Sequence, residues 1–411
     1  MNDLLATAST PFAPLIGVAP LMRRAFQHED LRPIGAALLQ RAQDHPEDAN
    51  ALLDFSTVLQ LTGDRTGALA IQAEAIAMQP LYSLSCHSGE PGLRLLVLMG
   101  PGDLMSNTPV EFLLEGADVA VDVLFVSTTA PFPDSVPDHD VLLVALAEST
   151  ANQPLLAQVA ELVQHWPRPV INPPERIAVL SRDGVCAVLA GIAGVLLPLT
   201  ARADRATVQA LAATPHSLAA LLPGDDFSLI VRPVGSHAGH DLLKIPTPAD
   251  VPAYLAAVDS AQFYVSRFID YSSDDGLFRK YRVALIEGVP YICHFAISSH
   301  WMVHYLNAGM DDSADKRRQE ADCMAHFDAQ FATRHAAALA AINERMGLPY
   351  LGIDCAETPS GQLLIFEVDN AMVVHALEAD PKYAYKKPVM QKVFDGFRRL
   401  LENARNGMPP A

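Results

Sequence analysis

The stretch GIDCAETPSGQLLIFEVDN, residues 352 to 370, constrains this chain more than any other. Two apolar, β-prone runs, LGIDCAE and QLLIFEVDN, flank TPSG, with Pro and Gly at the second and fourth positions of a type I turn. The spacing predicts a hairpin folded about Ser360, with Asp354 opposite Glu367 to within one residue. Glu367 and Asp369 stand two apart and so share one strand face. Like charges placed across a sheet repel and destabilise it. A divalent cation would reverse that sign, and the oxygen-only set Asp354, Glu367, Asp369 and Asn370 suits magnesium or manganese. The plainer alternative is an acidic hairpin facing solvent.

Half of the 411 residues are hydrophobic, enough for more than one core. The formal charge is -18, from 29 basic and 47 acidic residues. DKRR at 315–318 is the densest basic cluster and is too short for a nucleic-acid footprint. The five cysteines (Cys86, Cys186, Cys293, Cys323, Cys355) are odd in number and form no CxxC pair. That argues for a reducing compartment, and against a disulfide framework or structural zinc. The N-terminus has no basic segment before an apolar core, so no secretion signal is expected. The apolar run at 185–201 is broken by Gly191, Gly194 and Pro198 and is short for a membrane span; it reads as a helix followed by a strand. A soluble, cytoplasmic protein without a membrane or nucleic-acid partner is the expectation, and a homodimer is left open.

Three regions follow along the chain: a helical one at 1–85, an α/β domain at 86–200 and an α+β domain at 201–405. In the first, Leu52, Phe55, Leu59, Gly63, Ala68, Ala75 and Pro80 resemble a single tetratricopeptide repeat. One and a half repeats form no solenoid, so this region is a helical cap on the next domain or a docking module. In the second, LRLLVLMGPG, VDVLFV and HDVLLVALAE alternate with TPVEFLLEG and PLLAQVAELVQHW, which predicts a parallel sheet with helices on its faces. Thr108 is the N-cap candidate of its helix. GPGD at 100–103 is a phosphate cradle or a simple turn. The third region groups strands at FSLIVRPVGSHAGHDLLKI, QFYVSRFID and LFRKYRVALIEGVPYICHFAIS, then a helix near 320–345 and the hairpin.

Arg232 ends an apolar strand before a loop with Gly235, Ser236, His237 and Gly239. Small residues let main-chain N–H groups approach an anion, and the arginine would neutralise a phosphate held there. Lys280 and Arg282 share a strand face, on a surface edge strand or facing a ligand. His300, His304 and Asn307 cluster in SSHWMVHYLNAGM as a metal pair or as substrate contacts.

In this order the parts resemble the ATP-grasp superfamily, the branch of glutathione synthetase and the ribosomal-protein glutamate ligase, over about residues 93–400. The resemblance implies an ATP-grasp fold behind an α/β domain and a small helical region. It implies magnesium on Asp354, Glu367 and Asp369 bridging ATP phosphates, and Arg232 where the family usually has lysine. FYVSRFID is similar to the hinge that contacts adenine, placing Phe268 and Ile269 beside the base. Lys280 and Arg282 would meet the transferred phosphoryl group. NPPERIAVLSRDG resembles the segment before the nucleotide domain, with Arg182 or Gly184 in place of a second lysine. Ser266 stands where the hinge usually has Glu, Asp369 where the last ligand is usually Asn, and AMVVH where proline-glycine follows.

The implied activity is an ATP-dependent carboxylate–amine ligase that forms an amide through an acyl phosphate, with an amino acid or short peptide as substrate. An inactive nucleotide-binding scaffold and a phosphotransferase are the alternatives. His300, His304, Asn307 and Arg317 fall where the family keeps its acceptor loop, with Lys316, Arg317 and Arg318 expected in a mobile lid.

Overall fold

The computed structural model describes residues 12–407 except 85, 87, 88, 214, 224–226, 237 and 238. Helices α1 (Val18–Phe26), α2 (Arg32–Asp44), α3 (Ala49–Leu61) and α4 (Arg65–Met78) come first. Asp48 and Asp64 accept from the N–H groups of Ala51 and Gly67 at 3.0 and 2.9 Å, so each side chain caps its helix. The entry to α1 is held differently. Ile16 and Gly17 donate to Asp54 at 2.8 and 3.0 Å, and Val18 and Ala19 donate to Glu111 at 3.0 and 2.9 Å. Burial pushes the Asp54 carboxyl up to about 6 and raises Glu111 as well, against the bonds from these N–H groups.

Glu111 lies on α5 (Val110–Leu113) of the next layer. There β1 (Leu81–Leu84), β2 (Leu93–Met99), β3 (Val119–Phe125), β4 (Val141–Val144) and β5 (Val170–Ile171) form a sheet in the order β1-β3-β2-β4-β5. All neighbours are parallel except β1 against β3. Strand β4, paired on both sides, is buried along its whole length, which explains its unbroken apolar run. Because β1 joins this sheet, the layer begins ahead of the boundary expected at 85/86. The loop at 100–103 is a turn and no cradle: Gly100 N–H donates to Asn107 and Gly102 N–H to Gln72, both at 2.8 Å. Gln72 lies on α4, so the helical region caps this loop. Thr108 does not cap α5; its hydroxyl donates to the Asn370 carbonyl at 2.9 Å.

Helices α6 (Gln153–Val163), α7 (Pro174–Ile177) and α8 (Arg182–Leu189) lead to β6 (Val195–Leu196). The apolar run at 185–201 thus divides into helix and strand, and among the described residues no helix is long and apolar enough to cross a membrane. A second sheet follows from β7 (Thr200–Asp204), β8 (Leu229–Pro233), β9 (Leu243–Ile245) and β10 (Gln262–Arg267), antiparallel in the order β7-β10-β8-β9. Helices α9 (Arg205–Ala213), α10 (Pro215–Leu221) and α11 (Val251–Ala257) accompany it. Val208, Leu211 and Val251 pack against Val231, Phe263 and Val265 in one core.

The third sheet has β11 (Phe278–Ile286), β12 (Val289–Ser298), β13 (Tyr350–Glu357) and β14 (Leu363–Asp369), ordered β12-β11-β13-β14-β6. β6 pairs parallel with β14, so this sheet reaches back across the boundary expected at 200/201. The hairpin takes the expected register, Asp354 opposite Glu367, with an irregularity just after Asp354. Helix α12 (Ala314–His326) passes through a π-helical turn at Asp328–Ala332 into α13 (Ala336–Met346), which ends at Gly347 in the left-handed region with φ 62°. The last helix, α14 (Lys386–Arg405), buries Val393, Phe397 and Leu401 in a core shared with β2 and β3.

Glu357 ends β13 and fastens it to the turn before α13. It accepts from Arg334 at 2.9 and 3.0 Å, lies 2.9 Å from His335 Nε2 and accepts the Tyr281 hydroxyl at 3.1 Å. Burial opposes its charge, yet the bonds from His335 and Arg334 outweigh burial and hold the carboxyl down to about 2. A depressed carboxyl stabilises the fold above its unfolded value near 4.5 and loses that contribution as pH falls towards 2. Glu357→Gln is expected to cost about 2 kcal/mol at neutral pH, allowing for solvent screening. It should also flatten the loss of stability between about pH 4.5 and 2. Urea unfolding across pH checks this; an unchanged acid limb would refute it.

Candidate active site

The second and third sheets face each other across a cavity of about 750 Å³. Loops of the first sheet (Met105, Glu148–Ala151) and the inner side of α1 (Met22, Phe26) complete its wall. Strand alternation puts Lys280 and Arg282 on the cavity face of β11 and Tyr281 on the other, where its ring packs on Phe331.

Asp354 is the most constrained acid in the cavity. Arg282 holds it through two bonds of 2.8 and 3.0 Å, and Lys280 Nζ lies 2.6 Å from Oδ2. Burial resists ionisation, but the two cations overcome it and keep the carboxyl far below the usual range. Arg282 also donates to the Val373 carbonyl at 3.1 Å. Glu367 is paired with Arg182 at 2.6 Å, and Arg182 donates besides to the Phe366 carbonyl at 3.1 Å. Here too the cation outweighs burial, and the Glu367 carboxyl is lowered. Among the described residues no cation pairs with Asp369; burial, and then Glu367, push it up to about 6, with the Ala371 N–H at 2.8 Å opposing.

The donor set of Asp354, Glu367 and Asp369 has the chemistry a hard dication requires, oxygen only. As they stand, two of the three give their oxygens to arginine and lysine, and among the described residues no group of three or more His, Cys, Asp or Glu side chains is arranged to hold a metal. A metal would have to exchange places with these cations. Asn370 does not belong to the set. It faces away from the cavity, donating to the Leu146 carbonyl at 2.9 Å, and so ties the hairpin to the end of β4. One residue beyond Asp369, it falls on the opposite strand face, which is why the sequence-based grouping fails for it.

On the opposite wall, Arg232 is buried. It donates Nε to the Ser236 hydroxyl at 3.1 Å and a terminal N–H to the Ser236 carbonyl, bracing the glycine loop. Burial, and then the nearby Arg182, lower its guanidinium to about 10. Gly235 and Gly239 have φ of 80° and 76°, open to glycine at little cost, and both line the cavity with Ser236. His237 lies outside the described residues. Phe268 and Ile269 line the cavity beside Ile230 and Tyr264, as an apolar slot. Lys244 Nζ sits 3.4 Å from the Phe268 ring centroid.

The expected substrate residues divide. His304 lines the cavity, and burial, then Lys280 and Arg282, lower its imidazole. His300 does not line it, and its Nδ1 accepts the Met302 N–H at 3.2 Å. Asn307 caps a turn by accepting the His304 N–H at 3.0 Å. Arg317 donates to the Met310 and Asp311 carbonyls at 2.7 and 2.6 Å. Lys316 bonds the Ala308 carbonyl and Arg318 pairs with Asp315. Lys316 and Arg317 lie in the first turn of α12 and brace the preceding loop, Arg318 pairs within the helix, and none of the three lines the cavity. Sequence reasoning missed Met22, Phe26, His375 and Glu378 as lining residues. They meet only through packing between distant segments, which carries no local sequence signal.

No protein-family model matches the sequence, and a search of curated proteins gives no significant match. Solved structures do match. D-alanyl-alanine synthetase A from Vibrio cholerae aligns at TM-score 0.50 with 12% identity over 77% of this chain and 99% of that one. The D-alanine-D-alanine ligase of Coxiella burnetii gives 0.46 with 14% identity over 76% and 95%. A RimK domain ATP-grasp protein of Sphaerobacter thermophilus gives 0.44 with 15% identity over 75% and 99%. The fold is ATP-grasp. The second sheet, and the third, which is antiparallel apart from β6, stand on either side of the cavity.

Glu367 is neutralised by Arg182 in this fold, so Glu367→Gln should lower the melting temperature of the ligand-free protein. Asp369→Asn should not, since burial and Glu367 already disfavour that charge. Thermal melts of both variants test this; a higher melting temperature for Glu367→Gln would show the acids unpaired.

Proposed function

We propose that this chain is an ATP-dependent carboxylate–amine ligase acting on an amino acid or short peptide. The observation that carries the reading is the placement of Arg182, Arg232, Lys280 and Arg282 around one cavity, with Asp354, Glu367 and Asp369 between them and the apolar slot at Phe268 and Ile269 on one wall. The four cations suit the charge of a triphosphate, and its base needs such a slot. Arg232 and the glycine loop hold phosphates; Lys280 and Arg282 face the phosphoryl group in transfer, where negative charge is spread over its oxygens. A substrate carboxylate oxygen attacks the terminal phosphorus and the bond to ADP breaks. The ammonium of the second substrate gives up a proton to solvent, the free amine nitrogen attacks the acyl carbon, phosphate departs with the bonding pair, and the nitrogen sheds a second proton to solvent. A divalent cation held by Asp354, Glu367 and Asp369 would supply neutralisation of phosphate charge.

Protein nucleophiles are not called for. Cys293 lines the cavity, but burial pushes its thiol up to about 12, out of reach of the thiolate that attack requires. The work left to the chain is positioning and electrostatics.

A phosphate-release screen over amino acids and short peptides, followed by mass spectrometry, tests the reading. The expected products are ADP, phosphate and an amide together. A phosphorylated product without an amide would make it a phosphotransferase, and bound ATP without turnover a scaffold. Arg232→Ala is expected to weaken ATP binding by about 1.5–3 kcal/mol, the worth of a charge-assisted bond. Calorimetric titration reads this directly, and unchanged affinity would remove Arg232 from the phosphate site.

A further inference from the structure

The cavity has an end that phosphate chemistry does not use. Met22 and Phe26 reach it from α1, and Val373 and Leu377 from the segment after the metal-type hairpin. Met22 and Val373 pack in one cluster with Leu377, and the Phe26 ring meets His375 edge-on at 5.6 Å. Phe26 nevertheless keeps 37% of its surface exposed and lines the cavity. This wall is held beside the reacting groups, because the Val373 carbonyl accepts directly from Arg282 at 3.1 Å. It is also held rigidly: the four N–H bonds to Asp54 and Glu111 fix the start of α1 against α3 and α5.

The floor under this wall is acidic. Lys386 Nζ is shared between Glu378 at 2.7 Å and Glu320 at 3.6 Å, so two carboxylates share one ammonium, and His375 Nδ1 lies 3.8 Å from Glu378. Glu320 is further occupied by the hydroxyls of Tyr305 and Tyr385 at 2.8 and 2.6 Å, which leaves Glu378 as the acid of the group that lines the cavity. An apolar wall beside a group in which two carboxylates face one ammonium fits a molecule with a cationic and an apolar end.

We infer that α1 forms the side-chain pocket for the amine substrate: an α-amino acid or peptide N-terminus whose ammonium faces Glu378 and whose apolar side chain lies on Met22, Phe26 and Leu377. This rests on the ligase reading for the role of the amine, but not for its binding. The helical region is then part of the substrate site, in addition to capping the first sheet.

Binding can be read without turnover. The chain has two tryptophans, Trp166 and Trp301, and Trp301 lines the cavity, so a Trp166→Phe background leaves one reporter there. Leucine, phenylalanine, alanine and aspartate are titrated with a non-hydrolysable ATP analogue present. The expected result is at least tenfold tighter binding of leucine and phenylalanine than of alanine and aspartate, since their side chains bury several more carbons against the apolar wall. Phe26→Ala and Met22→Ala should each erase most of that preference, with analogue affinity unchanged; Phe26 is half-exposed at a helix end, so its truncation leaves the fold intact. A preference that survives both variants, or tighter binding of aspartate, overturns the inference. If the preference depends on α1 while no amine in the phosphate-release screen yields an amide, the ligase reading fails and the pocket stands.

Discussion

One buried carboxylate organises the site. Asp354 sits between Arg282 and Lys280 with almost no access to solvent. Such an arrangement adds little net stability, because removing three charges from water offsets much of their attraction. What it fixes is geometry. Arg282 can satisfy Asp354 with two parallel bonds only in one orientation, and in that orientation its remaining N–H meets the Val373 carbonyl. The strand β11, the hairpin and the segment leading to α14 are thereby locked to one another. Loss of one member would leave a buried charge unpaired, which is the costly outcome.

The same pairing describes the ligand-free state as one of internal neutralisation. Arg182 answers Glu367 as Arg282 and Lys280 answer Asp354. A bound polyanion with its counter-cation would compete for both sets, phosphates for the arginines and the cation for the acids. In the proposed ligase, nucleotide binding is therefore an exchange of partners, so the net affinity is smaller than the number of charged contacts suggests.

Much of this was legible in the sequence, for a physical reason. The hairpin's register follows from turn chemistry and the two-residue period of a strand, both local properties, and Asp354 does lie opposite Glu367. The same period places Lys280 and Arg282 together on the cavity face. It also excludes Asn370, an odd step from Asp369, which sequence reasoning had grouped by chemistry alone. DKRR looks like a free basic run, whereas the carbonyls at 308–311 take up Lys316 and Arg317, and Asp315 takes up Arg318. That α1 reaches the cavity was not legible in the sequence. Its contact with the cavity depends on Asp54 and Glu111, 28 and 85 residues from Phe26, and nothing near Phe26 announces it.

The central claim is that the substrate carboxylate becomes an acyl phosphate on this fold. It is tested by supplying the acid identified in turnover with both carboxyl oxygens labelled as ¹⁸O and weighing the released phosphate. The account predicts one ¹⁸O atom in each phosphate and one retained in the amide. Unlabelled phosphate released alongside amide would contradict it.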